Sequence, residues 1–62
     1  MSDIQQLTDG DILDRWRDYA HATRTDEITA ITRPDLVDER VLRRNRALAE
    51  KYGREALRRR IA

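Results

Sequence analysis

The sequence predicts a small all-α protein, a bundle of three to four helices with one long C-terminal helix. Three observations carry that prediction. Apolar residues recur at helical spacing in two long stretches of the 62-residue chain. Threonines at 8, 25 and 32 stand before acidic residues or proline, the chemistry of helix starts. Cysteine is absent, and the one histidine cannot build a metal cage, so helix packing or a partner chain has to supply the stability.

Thr8, followed by Asp9 and Asp11, suits an N-cap and an acidic first turn. In the segment ILDRWRDYAHAT, the residues Ile12, Leu13, Trp16, Tyr19, Ala20 and Thr23 fall on an arc of about 120°. The spacing predicts a first helix over roughly 9–23, with Asp11, Asp14 and Asp18 grouped on its opposite face. Thr25 opens a second unit, TDEITAIT, in which Asp26 and Glu27 favour a helix start and Ile28 and Ile31 form an i,i+3 pair. Its β-branched residues weaken helix propensity. A two-turn helix is the expectation there, with an extended segment as the alternative.

Thr32 before Pro34 resembles a capped start with proline in the first turn, which opens a third helix over about 34–52. Val37, Val41, Leu42, Asn45, Leu48, Ala49 and Tyr52 share an arc of about 140° on it. Gly53 is expected to kink or restart the helix, with a short final helix over 54–61. Residues 1–7 are expected to be loose, with Ile4 and Leu7 folding back on the first helix. The expected core is Trp16, Tyr19, Val37, Val41, Leu48 and Tyr52. The whole chain, 1–62, reads as one small domain, and a domain of this size is marginal when isolated.

Charged residues make up 40% of the chain and mean hydropathy is −0.90, yet the net charge is only +1. The near-neutral total hides a division. Residues 1–32 carry a net of −4 and residues 33–62 a net of +5. Arg40, Arg43, Arg44, Lys51, Arg54 and Arg58 project within about 100° of one another, away from the apolar arc. Glu39 with Arg43 and Glu50 with Arg54 have the favourable i,i+4 order; the remaining cations repel. Twelve arginines against one lysine suit forked contacts to phosphate or carboxylate.

Three readings fit this stripe: a solvated surface, a contact for an acidic protein surface, and a grip on nucleic acid. Against nucleic acid stand the low net charge, three aromatics that all lie on apolar arcs, and Asp35, Asp38 and Glu39 at the start of the would-be recognition helix. Asp11, Asp14 and Asp18 form a complementary acidic face, so two copies of the chain could also meet through opposite charges. The 4-3-4 spacing of Val41, Asn45, Leu48 and Tyr52 matches a short heptad seam with asparagine at an a position. The preferred reading places Asn45 at the wet rim of the core.

Nothing in the sequence assembles a nucleophile, base and orienter, and no glycine-rich phosphate loop exists. His21 projects away from the apolar arc. The expectation is a non-enzymatic interaction or assembly module with no cofactor, metal or small-molecule substrate. It would dock on itself or on a larger protein through the arginine face; the alternative is a small nucleic-acid-binding regulator using the same face. No apolar run reaches the roughly 18 residues of a membrane span and no signal peptide is evident, so the expected location is cytoplasmic.

Overall fold

The computed structural model describes residues 4–62, and everything it describes is helix, turn or connector. Two α-helices, α1 (Asp9–Thr32) and α2 (Glu39–Arg58), lie against each other as an antiparallel hairpin. Short 3₁₀ turns at Ile4–Gln6 and Pro34–Leu36 precede them. The all-α class holds, but the division into three or four helices does not.

The first correction is that α1 runs on through residues 24–32 instead of stopping near 23. Thr8 caps it as expected, accepting a hydrogen bond from the Asp11 amide at 3.2 Å. Thr25 is no cap at all. Its carbonyl accepts the Thr29 hydroxyl at 2.9 Å, and the Ile28 carbonyl accepts the Thr32 hydroxyl at 3.0 Å. Threonines that bond back to the preceding turn stay inside a helix. The helix stops at Thr32 because Arg33 precedes Pro34, and the ring excludes helical dihedrals for the residue before it.

The second correction concerns where α2 begins. Pro34 opens only a 3₁₀ turn, and Asp38 supplies the true N-cap, its carboxylate accepting the Arg40 amide at 2.9 Å. The third correction is that α2 passes straight through Gly53 to Arg58. Gly53 does not end it, and no separate final helix starts at 54. The Trp16 indole lies on the Gly53 backbone, so that a Cβ there would meet Nε1 at 2.9 Å. Glycine is present because α1 approaches closely, which is worth more than the helix propensity it sacrifices.

The α2 C-terminus closes with Arg60 in the left-handed region (φ 59°), its amide donating to the Leu57 carbonyl and that of Ile61 to Ala56. That turn brings Ile61 back to a half-buried position. Ile4, Gln5 and Leu7 lie against this end, their carbonyls accepting from Arg59, while residues 1–3 lie outside the described residues.

The interior is thin. Ile12 and Ala56 are the only fully buried apolar side chains among the described residues. Of the expected core, Trp16, Tyr19, Val37, Leu48 and Tyr52 are half-buried, and Val41 is exposed. Tyr19 and Tyr52 stack with ring centroids 5.7 Å apart and planes within 4°. Asn45 is buried rather than at the rim, and its amide donates to Asp26 at 3.4 Å, tying the two helices near the hairpin turn. The Thr23 hydroxyl is buried with no partner. The reason for the shallow interior is geometric: two helices present only one seam to each other, and the molecule measures 38 × 24 × 14 Å, one helix thick.

Candidate functional site

The hairpin's register runs opposite in the two helices. Tyr19 meets Tyr52, Trp16 meets Gly53, Asp26 meets Asn45, and Asp9 meets Arg59. At about 100° per residue, Asp11, Asp14 and Asp18 lie some 200–260° round α1 from the seam residue Ile12. Arg40, Arg44 and Lys51 lie about 220–260° round α2 from the seam residue Asn45. Antiparallel helices turn in opposite senses when viewed from one end, so equal rotations carry both groups to the same broad side. That side therefore bears an acidic row on α1 and a basic row on α2. The two rows are offset along the hairpin: the register sets Asp11, Asp14 and Asp18 level with α2 residues 53–60, and Arg40 and Arg44 level with α1 residues 27–31, about 14–30 Å further along the axis at ~1.5 Å per residue.

All six cations of the stripe are exposed, but they are not equivalent. Arg54 pairs with Glu50 one turn before it, as its spacing promised. Arg58 holds Glu55 in a two-point grip, Nε to Oε1 at 2.9 Å and Nη2 to Oε2 at 2.5 Å. Arg40, Arg43, Arg44 and Lys51 have no carboxylate or hydrogen-bond partner for their side chains among the described residues; the expected pair of Glu39 with Arg43 does not form. Asp11, Asp14 and Asp18 are exposed and equally unpaired. The stripe thus narrows to Arg40, Arg43 and Arg44 near the hairpin turn, with Lys51 beyond. Between Arg40 and Arg44 lies a shallow depression of about 240 Å³, floored by Val41 and bounded by Asp38. Its lining of two arginines, one valine and one aspartate is net positive.

One ionic cluster escaped the sequence reading. Arg59 spends all five N–H donors. Nε donates to Glu55 Oε2 at 2.6 Å; Nη1 donates to the Leu7 carbonyl at 2.7 Å and Asp9 Oδ1 at 3.0 Å; Nη2 donates to the Ile4 and Gln5 carbonyls at 3.0 and 3.4 Å. Glu55 is held at a pKa of about 2, first by hydrogen bonds from Arg58, then by those from Arg59. Both arginines are pushed above their ordinary value, chiefly by the hydrogen bond to Glu55. The i,i+4 spacing of Glu55 and Arg59 was legible; the carbonyls of residues 4–7 at the far end of the chain were not. This cluster is a structural clasp between the two ends of the chain, since its donors are already consumed.

Among the described residues no group of three or more His, Cys, Asp or Glu side chains could hold a metal ion, and His21 is exposed. No helix is long and apolar enough to cross a membrane.

The fold and site define a class: a two-helix hairpin with opposite charges ranked along one broad side. No family model matches the chain, and neither a curated protein nor a solved structure matches it.

Proposed function

We propose that this chain is a non-enzymatic interaction module that docks on an acidic protein surface through the arginine face of α2. The observation that carries this reading is the unneutralised group Arg40, Arg43 and Arg44. Arg40 and Arg44 stand one turn apart as like charges, an arrangement that weakens an isolated helix by a few tenths of a kcal/mol. Neighbouring cations that could be neutralised locally, at 54 and 58, are neutralised. The loop-proximal group keeps its fork geometry open for carboxylates.

The acidic row on the same broad side favours protein over nucleic acid as the partner. A protein surface can answer both signs, whereas a polyanion laid over α2 would also meet Asp11, Asp14 and Asp18. The test is a fluorescence-anisotropy titration of a labelled glutamate-rich helical peptide of about 20 residues, beside a labelled duplex of about 30 bp, at low and moderate salt. The expected result is salt-sensitive peptide binding that Arg40→Glu/Arg44→Glu abolishes while the helical circular dichroism persists. Peptide binding that survives the double reversal would reduce the stripe to a solvating surface. Duplex binding stronger than peptide binding would put nucleic acid first.

A further inference from the structure

The opposite broad side of the hairpin has a different chemistry. Leu13, Trp16 and Ile31 on α1 lie about 40–100° round from the seam, and Leu42, Gly53 and Leu57 on α2 about 60–120°. The same geometric argument puts both sets on one side, the one that does not carry the acidic and basic rows. Two contacts confirm the assignment: Trp16 covers Gly53, and Glu27 pairs with Arg46 at 3.7 Å across the two helices. Leu13, Trp16 and Leu42 are only half-buried, Leu57 is 65% exposed and Ile31 84% exposed. They form two apolar clusters, Leu13, Trp16 and Leu57 at one end of the hairpin and Ile31 with Leu42 at the other, separated by charged residues; exposed apolar clusters rimmed by polar groups mark contact surfaces.

We infer that this side is the interface for a second copy of the chain, pairing two hairpins into a four-helix assembly. Size supports that occupant. The broad side is bounded by 38 × 24 Å, an upper limit of about 900 Å², which leaves room for the ~800 Å² that each partner contributes to a standard interface. Charge supports it too. Arg17, Arg24 and Arg46 are balanced on this side by Glu27, Glu39 and Glu50, with Glu27 and Arg46 paired, so an identical face approaching it meets no net charge. The opposite side would instead bring like rows close in many orientations. Architecture supplies the third reason. A domain needs two packed layers around a core, and this chain folds into one layer with two fully buried apolar side chains. A second hairpin provides the missing layer and buries Leu13, Trp16 and Leu42.

Sedimentation equilibrium of the full chain from 1 to 500 µM is the test. The expected mass is about 15 kDa, twice the 7.4 kDa chain, with a thermal midpoint that climbs by several degrees across a hundredfold rise in concentration. Ile31→Glu/Leu57→Glu alters two side chains that are exposed in the single hairpin; it should weaken dimerisation at least a hundredfold. Leu57→Met should leave it within threefold, and Arg40→Glu/Arg44→Glu, on the other side, within twofold. A 7.4 kDa species with a concentration-independent midpoint at 500 µM overturns the inference. So does a dimer that ignores Ile31→Glu/Leu57→Glu yet dissociates on reversal of Arg40 and Arg44; that outcome would move self-association to the charged side. Loss of acidic-peptide binding alone would touch only the proposed docking function.

Discussion

Gly53 shows what a single residue records. In isolation a glycine within a helical pattern costs roughly 1 kcal/mol against alanine, which is why it suggests a break. In the folded hairpin the missing Cβ is the space occupied by the Trp16 indole. Gly53→Ala therefore gains about 1 kcal/mol of propensity and loses about 1–3 kcal/mol by overpacking, because the indole must swing off α2. The expected outcome is a net loss of about 1 kcal/mol in urea unfolding at fixed protein concentration. In a Trp16→Ala background the same substitution should reverse sign and stabilise by about 1 kcal/mol. Alanine stabilising both backgrounds equally would mean that the indole does not hold that position. The sequence contains the two halves of this contact but not their meeting, since nothing in either helix's own periodicity says which α1 residue faces position 53.

At the scale of elements, local patterns located the helical segments and misplaced their ends. Thr25 and Thr32 carry the composition of caps, yet the Thr29 and Thr32 hydroxyls bond back one turn to the Thr25 and Ile28 carbonyls, which suits the interior of a helix and lets α1 continue. Proline's effect on Arg33 is local and hence legible; the postponement of α2 to Asp38 depends on the path of the connecting turn. The arginine stripe was legible as a face because it depends on the periodicity of one helix. Its division into paired and unpaired members needed rotamers.

The clasp at the helix ends yields a pH prediction. Glu55 has an ordinary value of 4.5 and is depressed to about 2 in the folded chain by Arg58 and Arg59. A depressed carboxylate stabilises the fold fully above its unfolded pKa and loses that contribution as pH falls through its folded one. The stability Glu55 supplies should thus be intact at pH 6 and drain away between about 4.5 and 2. Thermal melts at pH 6, 4 and 2.5 should show the wild-type midpoint falling across this window. Glu55→Gln should start lower and fall less. Equal slopes for the two proteins would remove Glu55 from the acid transition.

For the whole molecule the decisive feature is that rows of opposite sign share one broad side, offset along its length, while the other side mixes exposed apolar residues with charges of both signs. Net charge conceals this, because +1 is the sum of two segregated populations. The arrangement makes the acidic row a filter on partners. A nucleic acid offers closely spaced negative charge and nothing positive, so a duplex that grips Arg40 and Arg44 and runs on along α2 meets the acidic row beside the other half of the hairpin. Asp11→Asn/Asp14→Asn/Asp18→Asn raises the net charge from +1 to +4 and leaves every described ion pair intact. These aspartates are exposed, and Asp11 also meets the α1 dipole in the first turn, so the fold should tolerate the change at a loss of about 0.5–1 kcal/mol. Binding to a labelled duplex of about 30 bp at low salt should strengthen at least tenfold, with a steeper salt dependence, because the acidic row no longer repels the duplex where it runs beside residues 51–58 of α2. Affinity for the acidic peptide should rise as well, but less, since a compact helix on α2 reaches fewer of the aspartates. If the triple variant and the wild type bind duplex alike, the acidic row does not select partners, and its pairing with the arginine row on one side of the hairpin carries no discrimination between protein and nucleic acid.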